Sequence, residues 1–382
     1  MHQKLISFVS VLAITLPAVS QQAPPAAEIE YIPYWKQVKC KKPQSSLFSQ
    51  ETPLKVVIKS SRSTFDFNAD LKAEMKTLDS GKADNPIPVT LKVRGKSRQY
   101  SCQFKPIRIL FGDDKDREGT VFDHIKGSDI KLITHCQYTS GKISEHLQSN
   151  EFVAREHSLY QFLRATGLPS FATRLVQVSY RNSDDVEVAE GLGVFVEPNA
   201  SFAKRCGLEH VKSNDLSAKI LAADPRINVT NLISRLFVDA SDFIVSMGHN
   251  TESFSDNTGT IKMLVPYDLN DSSTIQSRGT NGGFQVSAYA WGNKHTWPEW
   301  FDLLLKGPFG RDGGLIKPEL TSQQLTLWLQ ELRSVVDHVI QRKEAVMKRI
   351  DEMPLQADSK DVFNKYFESF FTELQRIQAQ IQ

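Results

Sequence analysis

Two charged residues, Lys131 and Glu156, have positions that could support chemistry. At 100° per residue, one face of residues 149–166 carries the apolar side chains Phe152, Val153, Leu159, Tyr160 and Leu163. Glu156 lies near the middle of this stripe, where a carboxylate is costly unless a cation or a hydrogen-bond donor accompanies it. Strand alternation over residues 129–133 puts Lys131 on the face opposite Ile130 and Leu132. We therefore expect a Lys131–Glu156 pair, the alternative being a solvated lysine on an edge strand.

A second group of polar residues follows predicted helix and strand ends. Asp242 ends an apolar helical run, Asn250 follows a Gly-His pair, and Asp268 emerges from a short strand ahead of Asn270. Polar groups placed at element ends are typical of functional sites, although Asp and Asn in loops also form turns. The run from Asp268 is not a calcium loop, because it has no Gly at its sixth position and no Glu at its twelfth.

The elements that would position these residues change in type along the chain. Alternating or short apolar segments predict strands at residues 54–58, 89–93, 100–104, 107–111, 129–136, 174–180 and 191–197. Later residues predict a helix at 228–238, a strand at 261–265, and two or three helices after Leu320, interrupted near Pro354. This order predicts an α+β fold with two lobes, a β-rich N-lobe with one helix over residues 53–200 and a mainly helical C-lobe over residues 201–382.

The amino terminus has the features of a secretory signal peptide. Lys4 precedes an apolar run over residues 5–16, which ends at Pro17, and small residues precede a cleavage point after Ser20. The run is shorter than the ~20 residues of a bilayer span, which disfavours an uncleaved anchor. We expect an exported protein, periplasmic or secreted, with residues 21–52 as an N-terminal extension and no transmembrane span.

Export would place the four cysteines in an oxidising compartment. Cys40, Cys102, Cys136 and Cys206 can pair in three ways, and their spacing selects none of them. None belongs to a CxxC pair, so one or two structural disulfides are favoured over a zinc site.

Charge and motifs exclude several function classes. The 46 Lys+Arg and 44 Asp+Glu give a net charge of +2 over 382 residues, so there is no general basic excess for a nucleic-acid backbone. The sequence contains no GxxxxGK[ST], HExxH, GxSxG or GxGxxG motif. Function must therefore depend on a few placed charges.

The order of these pieces resembles the CotH (spore coat protein H) family of atypical kinases, in particular its exported bacterial relatives. The resemblance covers residues 85–275 and rests on a basic turn at 92–98, Lys131, Arg155-Glu156, the strand that ends at Glu197, Ser241-Asp242, His249-Asn250 and Pro266-Tyr267-Asp268. It implies a protein-kinase-like fold that uses ATP and Mg²⁺ or Mn²⁺ to phosphorylate secreted proteins.

The resemblance also implies roles for individual residues. Lys131 would hold the nucleotide phosphates, Glu156 would orient Lys131, and Glu197 would lie at the hinge near the adenine. Asp242 would be the catalytic acid that positions the substrate hydroxyl.

Three further residues would lie at the metal. Asp268 would be the principal ligand and Asn250 another, while Asn270 occupies a position where relatives often carry a second acid.

The leading hypothesis is an exported, ATP- and Mg²⁺-dependent phosphotransferase that acts on an envelope or secreted acceptor. The kinase glycine-rich loop is missing and Asp242 is unusually far from Asn250, so a catalytically inactive kinase-fold module for envelope binding or assembly is the alternative. A further alternative is a metal-dependent hydrolase that uses Asp242 and Asp268.

Overall fold

The strands of the first half close into a β-barrel. They are β1 Leu54–Ser60, β2 Leu71–Leu78, β3 Ile87–Val93, β4 Ile107–Phe111, β5 Asp129–Thr134, β6 Thr173–Arg181 and β7 Glu187–Val196. Neighbours pair antiparallel in the order β1-β2-β3-β4-β5-β7-β6, and the barrel closes where β6 runs parallel to β1. This computed structural model describes residues 31–62, 68–78, 85–94, 105–135, 150–212, 224–239, 250–269, 297–309 and 319–381, and residues 33–382 form one compact unit.

Alternation along the strands fills the barrel interior. Leu54, Val56 and Ile58 of β1 are buried, as are Ile130 and Leu132 of β5, and all five belong to one apolar cluster to which every barrel strand contributes. Successive side chains of a strand point to opposite faces, so the residues between them lie on the outer face of the barrel.

Helices and a second sheet pack outside the barrel. The sheet has the order β10-β9-β8, formed by β8 Glu209–Val211, β9 Thr251–Ser255 and β10 Ile261–Pro266. The helices are α1 Ser46–Ser49, α2 Asn150–Ala165, α3 Asn199–Cys206, α4 Ile227–Phe237, α5 Trp297–Leu304, α6 Ser322–Ile340, α7 Lys343–Glu352 and α8 Ala357–Gln380. Side chains of α2, α4, α6 and α8 share a second apolar cluster with residues on the outer face of β5, β6 and β7.

The prediction of a two-lobed, protein-kinase-like fold whose β-rich N-lobe has one helix is wrong. The strands between residues 54 and 196 form a closed barrel with its own apolar interior. Two features produce the closure. The segment Leu71–Leu78, rich in helix-forming residues, is a strand because both β1 and β3 pair with it, and β6 pairs with β1 in parallel.

Most of the individual elements that were predicted within the described residues are present. The helix predicted at 149–166 is α2, the helix predicted at 228–238 is α4, and the strand predicted at 261–265 is β10. The carboxyl-terminal helices are interrupted between Glu352 and Ala357, around Pro354. The strand predicted at 100–104 lies outside the described residues.

A disulfide and a buried carboxylate hold the arm at residues 33–45. Cys40 forms a disulfide with Cys206 at the end of α3, which confirms a structural disulfide; Cys102 and Cys136 lie outside the described residues. The two oxygens of buried Glu331 accept hydrogen bonds from the backbone N–H groups of Tyr34 and Trp35 at 2.7 and 2.8 Å.

The described helices include none that is long and apolar enough to cross a membrane.

Candidate functional site

Lys131 lies on the face of β5 opposite Ile130 and Leu132, as alternation predicts, and in the barrel this is the outer face. It lies on β5, opposite Arg108 of β4 and Val196 of β7, between the inward-facing Ile130 and Leu132. Its side chain is 17% exposed. Burial lowers the pKa of this ammonium group to about 8; the charge of Arg94 lowers it too, while Glu252 and Asp129 act in the opposite direction.

The carboxylate that pairs with Lys131 within the described part of the chain is Glu252 of β9. Lys131 Nζ lies 3.4 Å from Glu252 Oε1 and 3.4 Å from Asn199 Oδ1. His210 Nε2 lies 2.7 Å from Glu252 Oε2, and because a carboxylate only accepts, the imidazole proton sits on Nε2.

Glu252 is held in its ionised form. Burial alone raises the pKa of Glu252, but the hydrogen bond from His210, the charge of Lys131 and a hydrogen bond from Asn199 together lower it to about 2. The pKa of Lys131 is lowered too, but for an ammonium group this disfavours the charged form, because burial and the charge of Arg94 outweigh the effect of Glu252.

Two cations lie close to the ring of Tyr267. Lys131 Nζ is 3.8 Å from the centroid of the Tyr267 ring, and the Arg94 guanidinium carbon is 5.4 Å from it. The backbone N–H of Tyr267 donates to the carbonyl of Asn250 at 3.0 Å. Lys131, Arg94 and Tyr267 are half-buried, so solvent reaches the cluster.

Asp268 follows Tyr267 directly and has a left-handed backbone, with φ of 55°. Asn250, with φ of 51°, shares this conformation, which is uncommon for residues other than glycine. The Asp268 backbone N–H donates to the hydroxyl oxygen of Tyr160 at 3.2 Å. The hydrogen bond between Tyr267 and Asn250 therefore brings Asp268 and Asn250, two of the predicted metal-site residues, to the same end of the β9–β10 hairpin.

Glu156 is fully buried, as its place on the apolar stripe of α2 predicts. Burial raises the pKa of the Tyr160 hydroxyl well above its usual range, and the charges of Glu156 and Asp268 raise it further. Glu156 and Asp268 are thus both near Tyr160, whereas the Lys131 ammonium contacts Glu252. The predicted role of Glu156 in orienting Lys131 stays a prediction.

The remaining predicted residues are separate from this cluster or undescribed. Glu197 is buried; its carboxylate accepts from Arg205 Nε at 2.8 Å, from Arg205 Nη2 at 2.9 Å and from the Ala172 N–H at 3.0 Å. Its predicted contact with a nucleotide stays a prediction. Asp242 and Asn270 lie outside the described residues.

Sequence reasoning assigned no role to several members of the cluster. They are Arg94, Asn199, His210, Glu252 and Tyr267. One signal could have found Glu252: strand alternation places it on the same face as Phe254, so it is a carboxylate on a packed face like Glu156. No comparable local signal marks His210 or Asn199.

Comparisons with known proteins show distant likeness to solved structures alone. No family model matches the sequence, and no curated protein matches it. Among solved structures, the proinflammatory kinase CtkA of Helicobacter pylori is 8% identical, with 76% of this chain and 94% of that chain covered, at a TM-score of 0.38. This is a distant similarity to a kinase structure, and at that TM-score it carries no argument about function.

Proposed function

We propose that the Lys131 cluster binds the phosphates of a nucleotide, and that the chain is an exported phosphotransferase that uses ATP and Mg²⁺ or Mn²⁺ to phosphorylate an envelope or secreted acceptor. One observation carries the proposal: Lys131 and Arg94 both lie against the ring of Tyr267, and the next residue is Asp268. Two cations beside a carboxylate provide charges for both a polyphosphate and its metal.

The electrostatics of Lys131 favour an anionic ligand. Arg94 lowers the pKa of Lys131, so the two cations repel one another. A phosphate between the ammonium and the guanidinium would relieve this repulsion. With a pKa of about 8, Lys131 still carries its charge at neutral pH.

Asp268 and Asn250 fit part of a magnesium site. Carboxylate and amide oxygens are the protein ligands that Mg²⁺ prefers, and Mg²⁺ at kinase sites binds few protein groups besides phosphates and water. The described residues contain no cluster of three His, Cys, Asp or Glu side chains at metal-binding distances. Asp268 would therefore hold the metal together with the nucleotide, and a bound metal would neutralise charge on the phosphates.

Two parts of the proposal depend on residues outside the described ranges. Asp242 would position the acceptor hydroxyl, and Asn270 would assist at the metal. Export is supported by the signal-like residues 1–20 and by the Cys40–Cys206 disulfide, since disulfides persist in oxidising compartments.

The second candidate is a module that binds a nucleotide without turnover. The limited set of metal-binding side chains within the described residues favours it. Such a module would retain the cations that bind phosphate but would not transfer the phosphoryl group.

The test measures binding and transfer separately. ATP with Mg²⁺ or Mn²⁺ should raise the melting temperature of the full chain, and the chain should transfer labelled γ-phosphate to itself or to a generic protein acceptor. Asp268→Ala should abolish transfer and the metal-dependent part of the shift, whereas Asp361→Ala, at an exposed position on α8, should change neither.

Three outcomes distinguish the candidates. Absence of any ATP- and metal-dependent shift refutes nucleotide binding. Binding without transfer by the wild-type chain selects the module. Unchanged transfer by Asp268→Ala shows that the site is wrongly assigned.

A further inference from the structure

Two adjoining cavities lie on the surface around the Cys40–Cys206 disulfide. One has a volume of about 190 Å³ and the other about 550 Å³, and Lys41 and Arg205 line both. The Lys131 cluster lines neither of them, so the arguments that concern the cavities are independent of the proposed nucleotide site.

Lysines of the arm dominate the lining. Lys36, Lys39, Lys41 and Lys42 line the cavities and are exposed. The arm is fixed at both ends of this run: Glu331 binds the backbone of Tyr34 and Trp35, and Cys40 is joined to Cys206. The Lys41 N–H also donates to the carbonyl of Arg205 at 2.9 Å. A constrained arm presents its cations without a large ordering cost on binding.

The opposite walls are basic as well. They carry Lys126 from the loop between β4 and β5, Arg164 from α2, and Lys204 and Arg205 from α3. The acid that lines these cavities is Glu197, and both its oxygens already accept hydrogen bonds from Arg205. Among the described residues, eight lysines and arginines therefore line the cavities together with a single carboxylate that Arg205 already neutralises, in a chain whose total charges almost balance.

Two cations that line the larger cavity repel one another. Burial lowers the pKa of Arg164 and the charge of Arg205 lowers it further, while Glu197 and Glu51 act in the opposite direction. An anionic group in this cavity would reduce that repulsion.

We propose that this arm surface, formed by residues 36–42 with Lys126, Arg164, Lys204 and Arg205, binds a linear acidic polysaccharide. Consecutive charged sugars could occupy the two cavities, which meet at Lys41 and Arg205. The concave shape of the two cavities suits a linear polysaccharide better than a flat membrane surface. The disulfide favours an oxidising compartment outside the cytosol, which argues against cytosolic nucleic acids as the ligand.

The experiment measures binding of a fluorescent heparin oligosaccharide and of oligogalacturonate to the full chain by anisotropy. A charge-reversal variant, Lys39→Glu with Lys41→Glu and Lys42→Glu, should weaken binding at least about tenfold at low salt, and added salt should weaken wild-type binding. The matched control reverses Lys72, Lys306 and Lys348 to Glu; these lysines are exposed and line neither cavity, so its affinity should stay within about twofold of wild type.

Equal losses in the two variants would overturn the proposal, because they would show a general effect of net charge. So would the absence of glycan binding, or tighter binding to an RNA oligonucleotide or to phosphatidylglycerol vesicles than to both glycans. Circular dichroism of both variants checks that they are folded. Nucleotide binding is measured in parallel, and its failure would leave this result unaffected.

Discussion

Replacing Lys131 by Met tests whether this ammonium group binds phosphate. A cation about 4 Å from a phosphate contributes about 4 kcal/mol at an effective dielectric constant near 20, and exchange of bound water reduces this contribution. We expect the variant to bind ATP about 100-fold more weakly at pH 7. Met retains the length of the side chain and its contact with the Tyr267 ring, and Glu252 keeps its hydrogen bonds with His210 and Asn199, which limits the cost of removing its cationic partner.

The pH dependence makes the prediction specific. With a pKa of about 8, the protonated fraction of Lys131 falls from about nine tenths at pH 7 to about one tenth at pH 9. Wild-type affinity for ATP, titrated calorimetrically without metal at constant ionic strength, should fall about tenfold over that range. Lys131→Met should show a flat profile, and Lys55→Met, at an exposed position on β1, should follow the wild type.

Stability provides an independent measurement on the same proteins. The pKa of Lys131 is lower in the folded state than the ordinary 10.5, so between pH 8 and 10.5 the unfolded chain binds a proton that the folded chain does not. The free energy of unfolding of the wild type should therefore rise with pH across this window, by up to about 3 kcal/mol relative to Lys131→Met. If wild type and Lys131→Met showed parallel pH profiles in both ATP affinity and stability, the conclusion that Lys131 is a buried ammonium group at the phosphate site would be refuted.

Two other substitutions test the packing that supports the cavities and the barrel. Gly191→Ala should destabilise the chain by about 3 kcal/mol, because a Cβ there would overlap the buried imidazole of His135. In a His135→Ala background the same change should cost little, and an equal cost in both backgrounds would contradict the steric explanation. Glu331→Gln should lower the free energy of unfolding, measured in urea, by about 2 kcal/mol, since an amide leaves one of the two arm N–H groups without its acceptor. A loss of stability no larger than that of Glu344→Gln, at an exposed position on α7, would count against this prediction.

Local patterns predicted the elements whose stability comes from their own periodicity. The stripe on α2 predicted the helix and the burial of Glu156, and alternation on β5 predicted that Lys131 lies on the face opposite Ile130 and Leu132. Both depend on neighbours within a few residues in the chain, which a single sequence contains.

Partners that are distant in the chain could not be predicted in this way. Glu252 pairs with Lys131 across 121 residues, and β1 pairs with β6 across a similar separation. The segment Leu71–Leu78 has good helix formers and forms a strand because its two neighbours supply hydrogen bonds on both sides. The wrong fold class followed from these long-range pairings.

The parallel contact between β1 and β6 has a consequence for the order of folding. β1 can pair with β2 as soon as both are synthesised, but its other edge has no partner until the chain has been extended through α2 and β6. An unpaired strand edge can recruit another chain, and pairings at long sequence separation form slowly. A nascent chain that stops before Thr173 would therefore expose the edge of β1, and we expect aggregation to begin there.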